Sequence, residues 1–466
     1  MLFPTIQFAV FFVLVLIASW LLMQRPVRWK PFMLLASYVF YAAWDWRFVG
    51  LLLAVTAVTQ AGVTLLGRAR SDPVRRRILV WTLVFDLGLL AWFKYYGFFA
   101  ASLAGVLSAV GLGAPLPLLQ VVLPVGISFF TFQAISYVVD VYRGEMEPAT
   151  PIDAAVYLAF FPHLVAGPIV RASEFLPQLR RPRDPRRVDG ARGFMLIASG
   201  LFKKVVVANM LATTLVDPVF SAPSGHSALE IIVAVYGYAV QIYADFSGYT
   251  DIAIGCALLL GFRFPDNFDR PYTAVSLQDF WRRWHMTLSR WLRDYLYIPL
   301  GGNAGGPRRT ERNLLITMIL GGLWHGAAWT FVAWGAIHGL GLALERRRFR
   351  DGTSWSRRPW LSRLITFHIV CFAWVFFRAD SFGTAATMLQ RMVTGWGPAP
   401  LVKPVIVLVI VAALAMQFVP RDVGQRMQVT FSRYSPLAQG AALSFALLVT
   451  DALGPQGVAP FIYFRF

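Results

Sequence analysis

The chain is poor in cysteine, in charge and, within its charge, in acid. Its 466 residues include 2 cysteines, Cys256 and Cys371, both inside apolar runs, which leaves no basis for a disulfide framework or a thiolate metal site. Charged residues make up 14% of the chain and hydrophobic residues 57%, with a mean hydropathy of +0.57, far from the balance of a soluble globular domain. Acids number 24 against 43 lysines and arginines, a net charge of +19. The arginines cluster between apolar runs and form no continuous basic tract, so they read as topology signals and lipid-headgroup contacts, with no nucleic-acid partner expected. HExxH, GxSxG, a P-loop and a Rossmann fingerprint are also missing, which removes most support for metal hydrolysis and nucleotide-driven transport; no metal site is expected. No internal repeat, low-complexity segment or soluble linker interrupts the chain, so 1–466 reads as one domain.

What is present is apolar length. Runs of about 20 apolar residues, enough to cross a bilayer as helix, recur throughout without the alternation of a β-barrel. An all-α polytopic membrane protein is expected. The first run, 3–23, lacks the basic leader and cleavage site of a secretory signal and reads as a membrane helix. Further runs are 32–41 and 48–66, joined by a turn at Trp44 to Arg47, then 79–93, which ends at an interface on Lys94, Tyr95 and Tyr96. After these come 121–139, 193–215, 229–260, 364–377, 405–419 and 437–453. Basic clusters mark the cytoplasmic side; Arg25, Arg28 and Lys30 place the N-terminus outside, and alternation along the chain places the C-terminal FIYFRF outside as well. The segment VYLAFFPHLVAGPIVR is interrupted by Pro162, Gly167 and Pro168. Broken backbone at membrane depth survives only inside protein or beside a cavity, which makes this stretch a candidate wall of an internal chamber.

Arginines also constrain the central run 313–344, because Arg308, Arg309 and Arg312 precede it and Arg346, Arg347 and Arg348 follow it. If both ends are cytoplasmic, the run must enter and return. As helix it spans roughly 48 Å, too little for two crossings of a core about 30 Å thick. A re-entrant hairpin bending near Gly321 and Gly322 is therefore expected, with His325 near its apex.

His325 is the strongest candidate for chemistry. Flanked by Trp324, Gly326 and Trp329, a neutral imidazole there suits general-base catalysis toward a hydroxyl; a core histidine bonded to a carbonyl is the alternative. His285 lies in WRRWHMTLSRWLRDYLYIPLGGN, on the helical face of Leu277, Trp281, Leu288 and Leu292, with Arg282, Arg283, Arg290 and Arg293 around it. This segment reads either as an interfacial helix or as one that turns His285 inward and holds arginines near a phosphorylated donor. His163, His226, His338 and His368 are assigned structural roles. Lys203 and Lys204, in mid-run, snorkel, pair with an acid or bind a phosphate; Asp245 and Asp251 are the available acids, and an ion pathway keeps a transporter open as the other class.

Taken together, these strings resemble the membrane-bound O-acyltransferase family, in its bacterial branch similar to alginate O-acetylation subunits. The resemblance rests on ASYVFYAAWDW, LPVGISFFTFQAISYVVDVYRG, FFPHLVAGPIVR, GLFKKVVVAN, QIYADFSGYTDIAIG, GFRFPDNFDRPY, DFWRRWHMTLSRWLRDYLYIPLGGN and GGLWHGAAWTFVAWGAIHGL, which cover nearly the whole chain. It implies a ring of about ten to twelve membrane helices, with re-entrant and amphipathic helices around a central tunnel and a catalytic core at about 120–345. It implies acetyl transfer from cytoplasmic acetyl-coenzyme A, a substrate rather than a tightly bound cofactor, across the bacterial inner membrane to an envelope polysaccharide such as alginate. Both termini would then be periplasmic, and a periplasmic esterase-like (SGNH) partner would complete delivery. Peptidoglycan O-acetylation, or transfer of another acyl group, is the alternative within the class.

By the same resemblance His325 is the principal catalytic histidine and His285 the second. His325 would take a proton as the hydroxyl attacks the thioester, while His285 orients the donor or stabilises the oxyanion. Arg282, Arg283, Arg290 and Arg293, with Trp324 and Trp329, are candidates to bind the donor or line the tunnel. Tyr463 in FIYFRF is either an acyl relay or an interfacial anchor.

Overall fold

The structure is a computed structural model that describes residues 1–112, 121–349, 355, 358–455 and 461. Every regular element among them is helical. Six of these helices are long and apolar enough to cross a membrane: Arg47–Arg68, Asp72–Ala109, Gly190–Ser221, Ala228–Leu259, Pro359–Arg378 and Pro436–Leu453. Two shorter apolar helices are Ile6–Leu22 and Pro404–Met416. The protein is thus an all-α polytopic membrane protein. Helices such as Pro307–His325 and Trp329–Arg348 have the length to be added but carry arginine at one end. The chain divides into two compact units, Met1–Val188 with Ala257–Phe264 and Asp189–Cys256 with Pro265–Phe466.

In the first unit, aromatic rings fill the interior. Phe161 lies 5.4 Å from Phe11 and 5.5 Å from Phe40, and Phe175 stacks on Phe262 at 4.8 Å. The interrupted segment breaks as expected, into Pro151–Ala159 and Phe161–Leu164. Its residues Tyr157 to Leu164 are fully buried, and they pack on aromatic side chains. His163 Nε2 lies 2.8 Å from the Tyr157 carbonyl oxygen, a bond that satisfies the break itself. The helix expected to end at Lys94 instead continues to Ala109. A π-turn at Ala91–Tyr95 re-aims Lys94 inward, where its Nζ donates to Ser128 Oγ at 3.2 Å.

The second unit is built on close helix pairs. Helices Gly190–Ser221 and Ala228–Leu259 meet through glycine: a Cβ on Gly255 would lie 2.6 Å from the Gly193 carbonyl oxygen, and one on Gly248 2.7 Å from that of Gly200. Only bare backbone permits this approach. One turn further, Lys204 pairs with Asp245 at 2.8 Å, both almost fully buried, and Lys203 pairs with Asp251. Pairing, one of the three roles left open for the lysines, is what the structure contains.

The central run forms two helices, Pro307–His325 and Trp329–Arg348. Their contacts run antiparallel, Gly322 against Phe331, Gly335 against Met318, Gly339 against Leu315. The hairpin is real, but it turns after His325 and not at Gly321 and Gly322. A Cβ at Gly322 would collide with the Phe331 carbonyl oxygen, so that glycine serves helix contact and not bending. The helices also extend into the flanking arginines and measure roughly 28 and 30 Å, so the length argument for a shallow loop does not hold.

Candidate functional site

The WRRWHMTLSRW segment is not one helix. Helix Leu277–Trp281 stops, four residues turn, and helix Met286–Leu292 begins. His285 occupies the junction with φ 42° and ψ 54°, a left-handed conformation that non-glycine residues seldom adopt. The continuous amphipathic face is therefore broken, and the break turns His285 fully inward, at 0% exposure. Other contacts hold the segment on the hairpin. Glu345 caps the first short helix, accepting from the Leu277 amide at 2.6 Å and the Gln278 amide at 3.1 Å, and Trp281 Nε1 donates to His338 Nδ1 at 3.3 Å.

His325 is the last residue of its helix and is 3% exposed. Its ring sits 5.1 Å from Trp334, 5.2 Å from Phe377 and 5.1 Å from Trp324, each edge to face. The same Trp324 ring lies 5.9 Å from His285. Two buried imidazoles delivered by different elements thus flank one tryptophan. Both rings are withdrawn from bulk water, and an imidazole is the side chain suited to accept or shuttle a proton.

Phe246, on the Ala228–Leu259 helix, faces His285 edge-on at 4.6 Å. Against Phe246 lies Phe461 of the C-terminal tail at 5.8 Å; Phe461 is also 4.2 Å from Tyr249 and is fully buried. Phe461 is therefore seated beside the site. Tyr463 lies outside the described residues.

The remaining candidates are distributed differently. Trp324 is buried between the imidazoles, whereas Trp329, at the start of its helix, is 54% exposed. Arg283 is bound to Asp279 at 2.7 Å and Arg293 to Asp294 at 2.6 Å, so either would have to release a carboxylate to take a phosphate. Arg282 is exposed and Arg290 half-buried. His338 is buried against Trp334 at 4.9 Å and accepts from Trp281, a packing arrangement. Trp334, Phe377, Phe246 and Asn267 also surround the two histidines, and nothing in the sequence marks them out; Asn267 lies inside GFRFPDNFDRPY, but a lone polar residue in a loop carries no chemical signal of its own.

Comparison with known proteins adds a second line. The sequence model of the membrane-bound O-acyltransferase family matches residues 139–379. The chain is 42% identical over 402 residues to a probable alginate O-acetylase of Azotobacter vinelandii, covering 84% of this chain and 79% of that one. It is 39% identical over 470 residues to a probable alginate O-acetylase of Pseudomonas putida, covering 93% and 94%. It is 35% identical over 405 residues to a peptidoglycan O-acetyltransferase of Helicobacter pylori, covering 79% and 75%.

Proposed function

The chain belongs to the membrane-bound O-acyltransferase family, and from that premise we propose that it passes an acetyl group from cytoplasmic acetyl-coenzyme A across the bacterial inner membrane to a hydroxyl of an extracytoplasmic polysaccharide. That it is a multi-pass membrane O-acyltransferase follows from the family, the relatives and the apolar helices. The finer proposal takes its acceptor, alginate or a similar polymer, from the alginate O-acetylases it resembles. Peptidoglycan is the second acceptor to test, because of the Helicobacter relative. Both termini facing the periplasm, and a periplasmic esterase-like partner that receives the acetyl group, belong to the same proposal. The family match runs through both compact units, which supports treating 1–466 as one domain with a catalytic core at about 120–345.

The observation that carries the reading is the pair of buried imidazoles on Trp324. In the proposed step the acceptor oxygen bonds to the acyl carbon as the carbon–sulfur bond breaks. The hydroxyl proton passes to His325, which returns it to the departing thiolate. The aromatic wall of Trp324, Trp334 and Phe377 keeps water from competing as nucleophile. Coenzyme phosphates would meet the arginines of 282–293, with Arg282 needing no rearrangement to do so. Transport loses its supporting observation, since the intramembrane lysines are satisfied by Asp245 and Asp251.

The test uses purified protein in lipid vesicles with radiolabelled acetyl-coenzyme A and, in parallel, longer acyl-coenzymes. Acetyl turnover that disappears in His325→Ala supports the proposal; turnover unchanged in that variant removes it. Acyl label retained on the tail of the wild type and absent from Tyr463→Phe, with thioester cleavage intact, would assign Tyr463 the relay role; equal labelling of both would make it an anchor.

A further inference from the structure

The environment of His285 determines which ring nitrogen faces the substrate. Asn267 arrives from the loop after the Ala228–Leu259 helix and is 1% exposed. Its Oδ1 accepts from the Thr287 amide at 3.2 Å and from Thr287 Oγ1 at 2.9 Å, while its own carbonyl oxygen accepts from the Met286 amide at 2.9 Å. A side chain far away in sequence thus caps the helix that His285 begins. The same Oδ1 stands 3.2 Å from His285 Nδ1.

The orientation of the Asn267 amide is not free. A backbone N–H is always a donor, so the amide atom facing Thr287 must be the oxygen; the reversed amide would set its NH2 against that N–H. An oxygen facing Nδ1 in turn requires a hydrogen on Nδ1. A neutral imidazole carries one hydrogen, so Nε2 is left as a lone pair. Among the described residues Nε2 has no hydrogen-bond partner, although it is buried, and such an atom calls for a ligand.

We propose that Asn267 is a positioning residue that locks His285 as its Nδ1–H tautomer, so that the ring meets the substrates as a hydrogen-bond acceptor at Nε2, toward a substrate N–H or O–H. This rests on the acyl-transfer reading for the identity of that substrate, though not for the tautomer. Of the two roles expected for His285, donation to an oxyanion is excluded for the neutral ring, and orientation of a substrate remains. The left-handed backbone at His285 fits the same purpose, since it lets the ring lean back on Asn267 while the next residue starts a helix.

The test is solid-state nitrogen-15 NMR of the full chain in lipid at neutral pH with ring-labelled histidine, the His285 signals being those lost in His285→Gln. The expected result is a protonated Nδ1 and an unprotonated Nε2 in the wild type; a protonated Nε2 overturns the proposal, whatever the activity. Asn267→Leu should mix the tautomers and lower kcat roughly ten- to a hundredfold, while Asn267→Asp, still an acceptor, should keep Nδ1–H and most activity. Asn267→Leu that folds with unchanged tautomer and kcat also overturns it. A raised KM for the thioester in Asn267→Leu assigns the donor group to the coenzyme, and a raised KM for the acceptor assigns it to the acceptor hydroxyl. If wild-type protein transfers no acyl group but shows the expected tautomer, the functional proposal fails and this one stands.

Discussion

Two antiparallel helix pairs of the second unit solve the same packing problem with opposite contents. Helices Gly190–Ser221 and Ala228–Leu259 close on glycine and bury a lysine with its aspartate. The hairpin of Pro307–His325 and Trp329–Arg348 also closes on glycine, yet buries an imidazole among tryptophan and phenylalanine edges. The first pair neutralises its polar groups internally, as scaffolding must in a membrane. The second instead surrounds its imidazole with aromatic edges. Buried charge serves the frame here; of the hairpin's two buried imidazoles, His338 is tied to Trp281, while His325 shares Trp324 with His285, and that shared ring is what sets the proposed site apart.

The comparison can be broken at several places. His325→Ala is expected to lower acyl transfer on the order of 10²–10⁴-fold, measured by thioester turnover on folded protein, beyond the fall in melting temperature that the cavity left by the ring causes. Lys204→Met should act on stability and leave the turnover of folded protein nearly unchanged. It leaves Asp245 buried without its cation and destabilises by about 3–5 kcal/mol. Lys204→Met combined with Asp245→Leu should recover most of that loss, and a double variant as unstable as the single would argue that the pair does more than neutralise. Gly335→Ala puts a Cβ on the Met318 carbonyl oxygen and should destabilise by about 1–3 kcal/mol, lowering activity only through displacement of His325. Smallest is His338→Phe, which forfeits the Trp281 bond. It should cost about 1 kcal/mol and keep nearly wild-type turnover; a large kinetic loss would move His338 into the site.

Most helices were legible because apolar length and arginine clusters are strong signals: 48–66 became Arg47–Arg68 and 437–453 became Pro436–Leu453. Two amphipathic helices, Phe382–Thr394 and Arg421–Ser432, escaped because neither is an apolar run. His325 and His285 stood out as costly residues in apolar surroundings, but their shared contact with Trp324 did not, since it joins segments that only the folded chain brings together. The break at His285 was illegible for a different reason. The residues 277–292 have good helical periodicity, and what overrides it is Asn267, whose carbonyl and side chain start a new helix at Met286. The glycines of the hairpin suggest a bend because sequence does not distinguish a glycine that turns from one that touches.

The central claim is that His325 and His285 act on one substrate as a unit, and a double-mutant cycle measures this most directly. Acyl-transfer rates are compared for wild type, His325→Ala, His285→Ala and the double variant. Residues acting together give strongly non-additive losses, so the double variant is predicted to be scarcely slower than His325→Ala alone. Losses that multiply, with His285→Ala reducing the rate by the same factor in either background, would contradict it.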